Sequence, residues 1–190
     1  MRKQNTMFVP LAMFFTFFTS SVLAAVPWES FEGTKNKWVM ADWKTSTKEV
    51  TVVTQNASDG KSALKVAFAG INGKNEAVAS CESAKGDWTK YTTLQFDVFS
   101  EAKGTLELST ALSTGPKWEW FESKPVQLKA GWNRGIKITL NGQDFKSEAS
   151  GWKHAVKIGN LKDMQRLSFK LLAPGGEETG AIYLDNIVLK

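Results

Sequence analysis

A period of two limits what this sequence can fold into more than any other feature. From residue 26 onward, apolar side chains recur at alternate positions in short runs: Leu64, Val66 and Phe68 after the turn Ser58, Asp59, Gly60; then Leu94, Phe96 and Val98; Leu106 and Leu108; Ile136, Ile138 and Leu140; and Leu167, Phe169 and Leu171. A strand sends successive side chains to opposite faces, so each run describes a strand with one buried face. Further strands are expected over 28–32, 38–43, 50–55 and 76–82, and in the closing AIYLDNIVL. No stretch of ten or more residues carries a helical period, and 144–150 and 161–165 have room only for a turn or two. Many short strands with no helices between them predict an all-β fold, two antiparallel sheets face to face as a jelly-roll β-sandwich.

The first 25 residues read differently. Arg2 and Lys3, an apolar run from Met7 to Phe18 and the small-residue end SSVLAA have the layout of a cleavable export signal over 1–25. The apolar run, about a dozen residues, falls short of the roughly 20 that a bilayer span needs. The expectation is therefore one exported domain over 26–190, secreted or periplasmic, with no membrane span. Removing Arg2 and Lys3 from 24 basic residues leaves 22 against 19 acidic ones, scattered without the Lys and Arg runs that mark nucleic-acid binding. The single cysteine, Cys81 in AVASCES, excludes an internal disulfide and reads as a small buried residue, so stability must come from the core or a metal.

Candidate binding residues concentrate in the stretch 104–140. There Trp118 and Trp120 stand two apart on what reads as a single strand, which would turn both indoles to one face and Phe121 to the other. If Phe121 is buried, both tryptophans face outward; Gly115 and Pro116 open the segment with a turn, and Lys117, Glu119 and Glu122 surround it with charge. Of the eight tryptophans, Trp28, Trp38, Trp88 and Trp132 read as packing, and Trp43 and Trp152 are open cases. A flat aromatic pair suits a ligand with a flat apolar face. A pyranose ring offers one through its axial hydrogens, and its hydroxyl rim then needs polar partners. Gln95, Asp97, Glu107 and Lys170 alternate out of phase with the apolar positions and are the expected hydrogen-bonding set.

Catalysis finds little support in the same residues. His154 is the only histidine and no G-x-S-x-G motif accompanies it. One histidine and one cysteine do not make a zinc site. Hydrolysis of a glycosidic bond needs two carboxylates facing across a cleft. Glu119 and Glu122, three apart on a strand, would face opposite ways, while Asp97 and Glu107 would face one cleft only if their strands share a sheet.

The segments WESFEG, SDGKSALKV, YTTLQFDVF, LKAGWNRGIKITL and IYLDNIVL follow one another in the order and at the intervals seen in the galactose-binding-like jelly-roll carbohydrate-binding modules, which the chain resembles over nearly all of 26–190. Those modules are calcium-containing β-sandwiches attached to secreted polysaccharide hydrolases. The resemblance implies a noncatalytic monomer that binds a polysaccharide or oligosaccharide of the β-glycan class. It also implies a structural Ca2+ joining the opening strand to the closing one, held by Glu29 or Glu32, by Asp185 and by oxygens of the Asp59, Gly60, Lys61 turn. It places Trp132 in the family's structural Gly, Trp, Asn turn. The departure is that no catalytic domain accompanies the module here. Two other readings stay open: an envelope or surface structural protein that keeps the sandwich for assembly, and a small glycoside hydrolase.

Overall fold

Residues 25–33, 35–41, 43 and 46–190 are described by the computed structural model, so all but the last residue of the expected export signal lies outside the described residues. Thirteen strands follow in chain order: β1 (Val26–Glu29), β2 (Trp38–Met40), β3 (Thr47–Val53), β4 (Ala63–Ile71), β5 (Ala77–Cys81), β6 (Thr93–Ser100), β7 (Leu106–Thr114), β8 (Glu119–Ser123), β9 (Val126–Leu128), β10 (Gly131–Thr139), β11 (Phe145–Lys146), β12 (Met164–Leu172) and β13 (Glu178–Leu189). Two single-turn 3-10 segments, Glu148–Ser150 and Leu161–Asp163, are the only helical elements among the described residues. Where a helical turn or two was expected over 144–150, the chain first adds the two-residue strand β11 to the edge of β8 and only then coils.

The strands form two antiparallel sheets. Sheet 1 runs β10-β6-β13-β4-β3, with β1 also pairing β13; sheet 2 runs β11-β8-β7-β12-β5-β2, with β9 also pairing β7. The alternating residues of the sequence meet between them: Leu64, Val66, Phe68, Leu94, Phe96 and Val98 from sheet 1 against Leu106, Leu108, Leu112, Leu167, Phe169 and Leu171 from sheet 2. Phe96 meets Phe169 edge to face at 4.8 Å across the sandwich, Phe169 stacks on Trp38 at 5.4 Å, and Trp28 sets its edge against Trp38 and Trp88 at 6.2 and 5.6 Å. Such offset and edge-to-face geometries are the favourable ones for aromatic quadrupoles. Trp28, Trp38 and Trp88 are therefore packing residues, as the sequence suggested. Cys81 faces inward from β5, and burial pushes its thiol above the ordinary value.

Burial on β4 goes beyond simple alternation. Ala63, on the face opposite Leu64, Val66 and Phe68, is buried with Ala181 and Tyr183 in a second small apolar cluster, with Ala67, Phe99, Val53 and Ala57 packed on it. The chain after β3 folds back over this outer surface of sheet 1, so both faces of β4 are covered.

Candidate functional site

The outer face of sheet 2 is built low in the middle. Alternation turns Ser109, Ala111 and Ser113 of the central strand β7 outward, with Ser168 of β12 and Ser80 of β5 beside them, the last two hydroxyls hydrogen-bonded at 2.8 Å. Taller side chains rise on either side: Trp120 lies across from Ser113 and Glu122 from Ala111, while Arg166 and Lys170 of β12 pair with Ser113 and Ser109. The side chains that wall the space above this low region come from β11, β8, β12 and β5, so the groove they leave crosses the strands. One end of it, 490 Å3, is walled by Trp118, Trp120 and Trp152. The adjoining 400 Å3 is walled by Trp43, Trp120 and Trp152 over a floor of Glu76, Glu122, Lys146 and Lys170. Trp120 and Trp152 border both volumes, so the groove is continuous.

Loops and strands share the work of presenting the indoles. Trp118 is not on the strand, as its spacing from Trp120 suggested, but in the turn that precedes β8: its N–H donates to the Gly115 carbonyl at 3.0 Å and its φ is 55°. Trp152 follows the Glu148–Ser150 turn with a φ of 62°. Left-handed backbone is unusual for a bulky residue, and here it stands at two tryptophans that face one groove. Both Trp118 and Trp120 nevertheless reach the outer side, and Phe121 between them and the core is buried, as the sequence required.

The floor is an ion network. Glu122 accepts from Lys170 at 2.7 Å and from Lys146 at 3.0 Å, Trp120 Nε1 donates to its other oxygen at 3.3 Å, and Lys170 also reaches Glu76 at 3.1 Å. Burial works to raise the Glu122 carboxyl, but the hydrogen bonds and charges of Lys170 and then Lys146 outweigh it and hold the group below its ordinary value. Burial likewise works to lower the Lys170 ammonium, yet Glu122 and then Glu76 keep it above its own. The depressed acid contributes stability above its unfolded value near 4.5 that is lost as pH falls through its folded value. The raised base contributes stability below its unfolded value near 10.5 that is lost as pH rises through its folded value. Glu122→Gln is therefore expected to lower the urea midpoint at neutral pH, and the gap from the unaltered protein should narrow as pH falls below 4.5. A gap that stays constant down to pH 3 would show that the carboxylate's charge is not what matters.

The expected polar set splits between the sheets. Lys170 and Glu107 share the outer face of sheet 2, although Glu107 lies six residues along β7 from Ser113, or ~20 Å, outside the aromatic part of the groove. Gln95 and Asp97 belong to β6 in sheet 1 and are not brought to the groove. Gln95 accepts from Lys190 at 2.9 Å; Asp97 accepts from the Gly135 N–H at 2.6 Å, where β10 bulges, and lies 3.9 Å from Arg134. Asp97 and Glu107 thus do not share a sheet, and no cleft lies between them. Alternation separates inside from outside but does not say which sheet a strand joins. Trp132, read as packing, is 37 % exposed on sheet 1, its ring lying 4.1 Å under the Arg134 guanidinium and edge-on to Phe99. Sequence reasoning passed over Arg166, although it shares the parity that selected Lys170.

The carboxylates expected to hold calcium are engaged otherwise. Asp185 accepts from the Ser58 and Asp59 N–H groups at 2.6 and 2.8 Å and from Asn186 at 2.7 Å, Glu32 from Lys61 and Ser62 at 2.8 and 2.7 Å, and Glu29 from Phe31 at 3.1 Å. Gly60 is required between them, since a Cβ there would lie 2.6 Å from Glu32 Oε1. Glu32 and Asp185 thus grip the 58–62 turn through backbone N–H donors, which engage Glu32 Oε1 and both oxygens of Asp185. Among the described residues no three His, Cys, Asp or Glu side chains gather as metal ligands, so an ion held by Glu29, Glu32, Asp59 or Asp185 would also need backbone carbonyl oxygens.

Neither a protein-family profile nor a curated protein matches this sequence. Solved structures do match its fold. The family 11 carbohydrate-binding module of a cellulosomal cellulase from Clostridium thermocellum is 18 % identical with a TM-score of 0.63, over 89 % of this chain and 95 % of that one. A carbohydrate-binding module specific for non-crystalline cellulose is 15 % identical with a TM-score of 0.63, over 90 % and 95 %. A module from Caldicellulosiruptor saccharolyticus, solved with mannohexaose, is 20 % identical with a TM-score of 0.54, over 88 % and 97 %. The chain has the fold of the β-sandwich carbohydrate-binding modules. It matches these three over nearly their whole length.

Proposed function

We propose that this protein is an exported, noncatalytic, monomeric carbohydrate-binding protein that holds a β-glycan chain in the groove of sheet 2. The observation that carries the reading is the gathering of Trp43, Trp118, Trp120 and Trp152 on one face; Trp43 and Trp152 are 48 % and 54 % exposed. Soluble proteins seldom leave such apolar surface open without a ligand or partner to cover it. Indole faces suit the axial hydrogens of sugar rings, and the paired charges of the floor suit their hydroxyls. Six strands ~4.8 Å apart give a groove of ~24 Å across the sheet, long enough for several rings.

The floor also argues against hydrolysis. A glycosidase needs one carboxyl that keeps its proton at working pH, and Glu122 is held in the opposite state by two lysines. Affinity electrophoresis against a panel of soluble polysaccharides tests the reading: retardation by a β-glycan is expected. Release of reducing sugar would make the protein an enzyme, and self-association without retardation would make it a structural protein. Because N–H donors already occupy Asp185 and Glu32, EDTA is expected to leave the melting temperature unchanged. A rise on adding calcium would show that an ion displaces those donors.

A further inference from the structure

One guanidinium on the outer face of sheet 2 lies close to three indoles that come from two separate parts of the chain. The Arg166 Cζ lies 5.0 Å from the ring centroid of Trp43, 5.2 Å from Trp118 and 5.9 Å from Trp120. Trp43 follows β2, Trp118 sits in the β7–β8 turn and Trp120 is on β8, so the arginine links the β2 edge of sheet 2 to β8, next to the opposite edge. Each distance falls within the ~6 Å over which a cation is attracted to an aromatic face. Among the described residues none of these three rings makes a ring-to-ring contact with another aromatic side chain.

Arg166 is itself well placed to hold them. A bulge between Met164 and Arg166 breaks the β12 register just before it, and bulges re-aim the side chain that follows. Across the strand stands Ser113, small enough to let the guanidinium extend toward β8 and hydrogen-bonded to it at 3.4 Å. Glu82 approaches from the other side at 3.7 Å, and the arginine side chain is only 15 % exposed. The guanidinium is planar, so its faces can stack on rings while its edge N–H groups still donate to Ser113 and pair with Glu82, a combination an ammonium lacks.

We propose that Arg166 is a positioning residue: it fixes Trp43, Trp118 and Trp120 before a ligand arrives, so that a glycan finds the aromatic walls already set. This rests on the carbohydrate-binding reading. Order that exists in the free protein need not be imposed on binding, and affinity rises accordingly. In particular, the arginine under the Trp118 ring gives that residue a reason to keep its left-handed backbone.

The test compares the full chain with Arg166→Met, which keeps the length of the side chain without its charge, and Arg166→Lys, which keeps the charge without the plane. The ligand is a soluble polysaccharide that retards the unaltered protein. Three quantities are read: the near-ultraviolet circular dichroism of the free protein, acrylamide quenching of its tryptophans, and affinity. Arg166→Met is expected to weaken the dichroism, raise the quenching and lower the affinity tenfold or more, and Arg166→Lys to show the same changes at about a third of that loss. Unchanged dichroism with lost affinity would mean that the arginine grips the sugar itself, and changed dichroism with retained affinity would mean that prior order is irrelevant; either result overturns the proposal. Should Arg166→Met fail to fold, Arg166→Lys decides by the same readouts. If no polysaccharide retards the unaltered protein, the carbohydrate reading falls, while dichroism and quenching still show whether Arg166 fixes the rings.

Discussion

Trp120→Ala is expected to weaken glycan binding roughly five- to a hundredfold while leaving the melting temperature nearly where it was. A ring stacked on an aromatic side chain contributes on the order of 1–3 kcal/mol, by analogy with stacked bases, and each ~1.4 kcal/mol is a factor of ten. Trp120 is the indole to change because it borders both parts of the groove. Its removal leaves Phe121 in the core and Glu122 paired with Lys170 and Lys146. The measurement is affinity electrophoresis beside a thermal melt. A large fall in melting temperature with unchanged retardation would show that Trp120 is part of the packing and would end the platform argument.

Trp38→Ala is expected to do the reverse, lowering stability by about 3–5 kcal/mol. Trp38 is 2 % exposed, stacks on Phe169 and takes the edge of Trp28, so truncation opens a cavity lined by rigid rings that cannot collapse into it. Against the ~5–15 kcal/mol that typically holds a domain together, that is about a fifth of the total or more. Urea unfolding of the purified variant measures it, and the groove's affinity below the transition should be retained. A loss under ~1 kcal/mol would mean that the Phe169 and Trp28 rings close over the gap.

The two tryptophans differ in what the sequence says of them. Trp38 reads as packing from the size of its indole, and it is buried although the apolar residues after it, Val39 and Met40, are exposed. For Trp120, alternation with Phe121 indicated an outward face, and that much is present in the structure. Trp118 was harder: spacing of two reads as a strand, but Gly115 and Pro116 begin a turn long enough to include it, and only its hydrogen bond to Gly115 decides the matter. The same limit explains Asp97 and Gln95. Local period gives the inside and outside of each strand, whereas sheet membership depends on pairings between distant segments, such as β6 with β10 and β13. The place of Lys170 on the outer face is legible from its parity; Trp43 and Trp152 stay open cases, and Glu76 and Lys146 are passed over, because these four reach the groove from β11 or from loops whose paths only the folded chain defines.

The pairing of β1 with β13 sets how the domain bears a pull. Val26 lies beside Leu189, so the two ends of the sandwich leave from the same point of sheet 1. Tension applied between them would load the hydrogen bonds of that pair one after another and peel the strands apart, rather than shear all of them together. Tension between the C-terminal end and a ligand in the groove would enter through β13, which β4 and β6 also hold, whereas tension from the N-terminal end would enter through β1, whose one partner strand is β13. The two ends are therefore not equivalent: a pull against the groove is better resisted from the β13 end than from the β1 end.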